Sequence, residues 1–355
     1  MFCFLDHVKK LPVEMTSPNL PVVDLSRAYT DRDTMAKCVV AGLENEGFLF
    51  IDNVPDLDYD GLFKACKWFF DKPMEFKRTV MRNFWNPENK NVYRGYFPVN
   101  EGEPSRKEGF EFARDVPEND PEVAANNWFY EKSPWPEEDG TFPFKQFLQE
   151  SYEILHKAAL EILRLTALGL GIAEDSFESM FADKPCTTFR IMHYPPWAGE
   201  PPASARLEDG RVIITPEHTD TNFLTLLTRF HYGGLELQTA DGQWVEVDPR
   251  PGSLVMNIGD TFSRMMGGRL KATKHRVLSI GEDRYAVPFF FTPRYNGDIG
   301  INFMSKATGQ GLEHKPERYG PWVLDVIKNK KKYFEYRVLP DIEPRDDENK
   351  TNTES

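Results

Sequence analysis

From Cys186 to Phe291 the chain is broken into short apolar or alternating segments, each ended by glycine, proline or aspartate. That texture leaves few folds open. Thr187–Tyr194 alternates and stops at Pro195-Pro196. Asp209-Gly210 and Asp241-Gly242 are hairpin signals, the second joining Gly234–Gln238 to Trp244–Val247. Ser253–Ile258, Ala272–Leu278 and Arg284–Phe291 follow. Many short strands with tight turns predict a sandwich or barrel with helices packed outside it.

The N-terminal third is mixed. Leu20–Leu25 and Gly47–Ile51 read as strands. Asp33 or Thr34 caps a helix running to about Asn45, and a second helix lies near Tyr59–Phe70. From Phe144 to about Leu168 the apolar positions 144, 148, 152, 155, 159 and 162 step by three and four, one face of a long amphipathic helix. The expected class is α+β with a mainly β core. The expected organisation is an N-terminal segment 1–18, a single unit over 19–340, and a disordered acidic tail at 341–355. Within the unit we expect a helical N-terminal layer at 19–180, the β core at 181–310 and a C-terminal helix at 311–340. Lys328 and Lys330–Lys332 read as a solvated helix end.

Charge and cysteine usage narrow the partners. Forty-three Lys and Arg face 56 Asp and Glu, a formal net charge of −13. Such a chain repels phosphate backbones and anionic lipid, so nucleic acid and membrane surfaces are not expected partners. No apolar run approaches the ~18 residues of a membrane span. Near the start, Lys9 and Lys10 come after the apolar residues, the reverse of a secretory signal. Four cysteines with no CxxC pair read as reduced thiols of an intracellular protein; the expected location is cytoplasmic, with an organellar address left open. Nothing in the sequence specifies an oligomeric state.

Of seven histidines, His156 falls in the long helix, His231 in a hairpin loop, and His7 and His314 in loop-like sequence. His218 and Asp220 differ: at i and i+2, leaving a strand, their side chains point the same way. Glu217 points away. A neutral imidazole and a carboxylate on one face can grip one side of a divalent ion. His275, in the strand-like Lys271–Ser279, is the best third ligand. Two histidines and one carboxylate leave three coordination positions open, the set that suits a non-haem Fe(II) oxygenase. A catalytic zinc is chemically possible on the same donors and would need a positioned general base. Arg284 opens a segment in which 284, 286, 288 and 290 share a face. On the inside of a barrel it can clamp a carboxylate, and Tyr194 can assist; taken singly it is also what a surface arginine at a strand start looks like. His193 faces the side opposite Tyr194.

The sequence resembles the iron(II)- and 2-oxoglutarate-dependent dioxygenases of the isopenicillin N synthase-like group. The resemblance covers about residues 19–310. Its motifs occur in the family's order: Leu20-Pro-Val-Val-Asp-Leu, Glu46-Gly-Phe-Leu-Phe-Ile51, Tyr93-Arg-Gly-Tyr96 with Lys107-Glu108-Gly109, and His193-Tyr-Pro-Pro196. Then come His218-Thr-Asp220 with Phe223–Leu227, Gly233–Leu237, Asn257-Ile-Gly-Asp260, His275–Leu278 and Arg284–Phe290. The resemblance implies a double-stranded β-helix, or jelly roll. It implies Fe(2+) held by His218, Asp220 and His275, with 2-oxoglutarate chelating the metal through its keto acid end and reaching Arg284 with its far carboxylate. It further implies reaction with O2, release of succinate and CO2, and hydroxylation, desaturation or ring closure of a small molecule of secondary metabolism. By the same resemblance Arg94, Tyr96, Phe223 and Phe290 are candidate substrate contacts.

Two positions depart from the family pattern. Ala286 stands where Arg-x-Ser is usual, and Met192 where plant members often carry Asn. A lost hydrogen bond to a charged group is worth about 1.5–3 kcal/mol unless water or Tyr194 replaces it. Two other readings remain: an oxidase of the same fold that uses no 2-oxoglutarate, and a non-catalytic binding module.

Overall fold

The computed structural model describes residues 18–303 and 315–329. The segment 1–18 apart from Pro18, the tail 341–355, and the helix expected at 311–340 outside 315–329 lie beyond the described residues. His7, His314 and Cys3 do too.

The chain opens with β1 (Val22–Asp24), α1 (Arg32–Asn45), β2 (Phe48–Asp52), α2 (Tyr59–Phe70) and the short α3 (Met74–Arg78). Asp31, two residues earlier than expected, stands at the N-cap of α1. Asp58 starts α2 by accepting the Gly61 N–H at 2.8 Å. β3 (Gly95–Phe97), β4 (Glu108–Phe112), α4 (Pro121–Ala124) and α5 (Phe144–Leu170) follow. Gly171, at φ 73°, ends α5 in the left-handed conformation that only glycine adopts cheaply. The layer at 19–180 is therefore not purely helical, since β1–β4 all pair into a sheet.

The C-terminal part contributes β5 (Thr188–Tyr194), β6 (Ile213–His218), β7 (Leu224–Thr228), β8 (Leu235–Gln238) and β9 (Trp244–Glu246). It continues with β10 (Leu254–Ile258), α6 (Asp260–Met265), β11 (His275–Leu278), β12 (Arg284–Phe291) and α7 (Tyr319–Asn329). Eight strands make a major sheet in the order β1-β2-β10-β7-β12-β5-β4-β3, and four make a minor sheet in the order β6-β11-β8-β9. The sheets face each other as a double-stranded β-helix. One core lies between them, where Met192, Tyr194 and Ala286 of the major sheet meet Leu235, Leu237 and Val277 of the minor.

Alternation along β12 divides the two sides of the major sheet. Tyr285, Val287, Phe289 and Phe291 face outward into a second, larger core under the helices. There Tyr152 of α5 meets the Phe289 ring edge-on at 5.1 Å, and His156 meets Phe291 at 5.3 Å. Arg284, Ala286, Pro288 and Phe290 face inward and line the cavity between the sheets. The outer core thus fixes which side chains the barrel presents to its interior.

Candidate metal centre

β6 and β11 are neighbours, and their register sets His275 opposite His218, ring centroids 4.2 Å apart. Nδ1 of His218 lies 2.8 Å from the Pro216 carbonyl, and Nδ1 of His275 lies 3.1 Å from that of Thr273. A carbonyl only accepts, so each Nδ1 carries the proton and each Nε2 turns its lone pair inward. Phe48 braces His275 edge-on at 5.6 Å.

Asp220 lies just past β6, in a stretch tied down where the Asp260 N–H donates to its carbonyl at 2.8 Å. Oδ2 accepts from Thr225 at 2.6 Å and from Asn257 at 2.8 Å, residues of β7 and β10 in the facing sheet. Oδ1 faces the imidazoles, 3.7 Å from each Nε2. Burial would raise the Asp220 carboxyl, but the two imidazoles and the Thr225 and Asn257 bonds outweigh it and hold it low. Burial, then the adjacent His275, lowers the His218 imidazole. The site thus turns two imidazole Nε2 atoms and one carboxylate oxygen toward a common point.

The three ligating atoms lie within 4.8 Å of one another. Their chemistry fits a divalent ion with several positions left open. Among the described residues this group has three members, so the four ligands of a closed zinc site are not assembled. Glu217, the acid a catalytic zinc would recruit, is exposed and lies 3.8 Å from Lys274.

Across the cavity Arg284, 1% exposed, begins β12. Its Nε donates to the Gly233 carbonyl at 3.4 Å, its guanidinium lies 4.8 Å from the Tyr194 ring centroid, and Nη1 has no partner. Burial lowers its pKa, and Tyr194 opposes the shift. A buried guanidinium with an open N–H at a cavity wall suits a carboxylate.

The description "2OG-Fe(II) oxygenase superfamily" matches residues 186–293, and "non-haem dioxygenase in morphine synthesis N-terminal" matches residues 20–138. The 2-oxoglutarate-dependent dioxygenase citB of Monascus ruber is 31% identical over 87% of this chain and 94% of its own. The chain belongs to the 2-oxoglutarate- and Fe(II)-dependent oxygenases. Isopenicillin N synthase of Streptomyces clavuligerus is 23% identical over 90% of this chain and 97% of its own. A 2OG-Fe(II) oxygenase family protein from Caulobacter crescentus superposes with a TM-score of 0.72 at 27% identity, covering 89% of this chain and 100% of the other. The protein is therefore an oxidoreductase that uses Fe(II), 2-oxoglutarate and O2 to oxidise a small molecule, with release of succinate and CO2.

Within this oxygenase the other expected residues separate. Phe290 lines the cavity, with the Arg190 guanidinium 5.2 Å from its ring centroid. Tyr194 lines it too, its hydroxyl 3.6 Å from Met192 Sδ. Arg94, Tyr96 and Phe223 lie elsewhere. Arg94 is one layer behind the wall, donating to Thr188 Oγ1 at 2.6 Å and the Phe129 carbonyl at 3.1 Å. Tyr96 is wholly buried and donates its hydroxyl to Glu108. Phe223 precedes β7 and stacks on Phe262 at 4.1 Å in the outer core.

Several cavity residues escaped the sequence reading. Thr225 and Asn257 are polar residues inside apolar runs, a pattern that calls for a buried partner. Lys107, Cys186 and Arg190 line the wall, as do Val323, Val326 and Ile327 of α7. Arg190 pairs with the wholly buried Glu111, which Arg82 also engages.

Among the described residues no helix is long and apolar enough to cross a membrane.

Proposed function

We propose that His218, Asp220 and His275 hold the ferrous ion, that Arg284 over Tyr194 anchors the far carboxylate of 2-oxoglutarate, and that the outer cavity takes a small, largely apolar metabolite. The convergence of two Nε2 atoms and one carboxylate oxygen, each fixed by a hydrogen bond on its other side, carries the assignment. The bound ion supplies activation of O2 coupled to decarboxylation of 2-oxoglutarate. The chain supplies orientation. The carbonyls of Pro216 and Thr273 fix both ring tautomers, and Thr225 and Asn257 aim Oδ1 of Asp220 inward. Arg284 sets the reach of the co-substrate.

Phe129, Phe290, Val323, Val326 and Ile327 make the outer wall apolar, and Thr188 and Thr292 add hydroxyls. Arg190 reaches that wall and shares Glu111 with Arg82 behind it. These features support an uncharged or weakly polar substrate of secondary metabolism. The net charge of −13 speaks against nucleic acid and membrane partners. The described cysteines Cys38, Cys66 and Cys186 are all free, in keeping with a cytoplasmic location.

The test is iron-dependent succinate release. Asp220→Ala or His218→Ala should abolish it while circular dichroism stays that of the wild type. Wild-type release in either variant refutes the ligand assignment.

A further inference from the structure

We propose that Arg229 is a second cationic anchor for the far carboxylate of 2-oxoglutarate, acting with Arg284 at the place where Ala286 offers no hydroxyl. This rests on the reading of Arg284 given above. Arg229 directly follows the last residue of β7. Thr225 and Leu227, four and two residues before it, line the cavity. The β7–β12 register sets Val287 opposite Thr228, which brings Arg229 to the Arg284–Ala286 end of β12.

The Arg229 side chain is only 2% exposed. Its Nη2 donates to the Asp248 carbonyl, while Nε and Nη1 are buried without a hydrogen-bond partner. Arg284 has the same deficiency at Nη1. Of the other buried arginines, Arg82 and Arg190 share Glu111 and Arg276 pairs with Glu236, while the Arg94 side chain bonds only neutral groups, Thr188 Oγ1 and the Phe129 carbonyl. Here two like charges are enclosed near each other. Burial first, and then the Arg284 cation, pull Arg229 down to about 10, against Glu246 and Asp248. Enclosed charge is costly without a counter-ion. The pair marks a place where an incoming anion completes the structure. A carboxylate has lone pairs enough for two guanidinium groups, and the far carboxylate is the anion that the reaction brings to Arg284.

The test uses Mn(II)-loaded full-length protein without oxygen, titrated calorimetrically with 2-oxoglutarate and with 2-oxopentanoate. The second ligand keeps the keto acid head and has a methyl group in place of the far carboxylate. Arg229→Met should weaken 2-oxoglutarate about tenfold or more and leave 2-oxopentanoate and Mn(II) affinity unchanged. Its ligand-free Tm should equal or exceed that of the wild type, because a buried repulsion is gone. Equal loss of both keto acids, or loss of Mn(II), makes Arg229 a structural residue and overturns the proposal. Unchanged 2-oxoglutarate affinity in Arg229→Met beside weakened affinity in Arg284→Met overturns the role of Arg229 alone. Unchanged affinity in both removes the Arg284 anchor as well. Should Arg229→Met not fold, Arg229→Gln can still donate to the Asp248 carbonyl, and wild-type 2-oxoglutarate affinity in that variant overturns the proposal.

Discussion

Asn257 donates its side-chain amide to Oδ2 of Asp220 at 2.8 Å, linking the major sheet to a carboxylate carried by the minor one. With the Thr225 hydroxyl on the same oxygen at 2.6 Å, it leaves Oδ1 as the oxygen presented to the two imidazoles. Neither residue belongs to the proposed metal-binding triad. Together they set its aim.

Asn257→Leu removes one of these two restraints at nearly constant volume. The expected loss in metal affinity is about 10–100-fold, the usual cost of losing an outer hydrogen bond to a ligand. Calorimetric titration with Mn(II) reads it directly. Asn257→Leu with wild-type affinity means that Thr225 alone orients the carboxylate.

Arg284→Ala should raise the 2-oxoglutarate requirement far more than it weakens metal binding, because the guanidinium lies across the cavity from the triad. Ala286→Ser adds back a hydroxyl beside it. With Arg229 already serving the same carboxylate, that substitution should gain little in the wild type and more in Arg229→Met. Initial rates over a range of 2-oxoglutarate concentrations give both answers. A wild-type co-substrate dependence in Arg284→Ala removes Arg284 from this role.

His156 gives the fold a pH signature away from the site. Burial, then the Arg114 cation, lower its pKa to about 4 from the usual 6.5, and its Nδ1 has no partner. The unfolded chain therefore binds a proton that the folded chain refuses between those values. Stability from this group is full above about pH 6.5 and falls as the pH drops toward 4, by about 3 kcal/mol in all. Other groups also titrate in this window, so the readout is a difference. The loss of stability from pH 7 to 4.5, by denaturant titration, should be smaller in His156→Phe than in the wild type. Equal losses exclude His156 as a contributor.

The sequence carried the parts of this molecule that have a period or a pair. The helix at Tyr59–Phe70 and the strand at Arg284–Phe291 are where alternation and capping place them, because each buries one face. His218, Asp220 and His275 were singled out because the first two stand at i and i+2 as the chain leaves a strand and the third lies in a strand pattern, and the structure brings the three together. β3 and β4 were not visible as strands, since both are buried on each face and show no alternation. Arg94 and Tyr96 sit in a motif close to the cavity, yet one layer behind its wall, and spacing along the chain does not tell front from back. Arg229 looks like a loop arginine at a strand end. Only burial and the missing partners of its guanidinium single it out. Val323, Val326 and Ile327 reach the cavity from α7, far along the chain, with no local signal of the destination.

The most direct measurement is an anaerobic crystal structure with Fe(II) and 2-oxoglutarate. The expected density is a single ion bonded to Nε2 of His218, Oδ1 of Asp220 and Nε2 of His275, with the far carboxylate of 2-oxoglutarate on Arg284. An ion bound away from these three atoms, or a co-substrate whose far carboxylate points away from Arg284, contradicts the assignment.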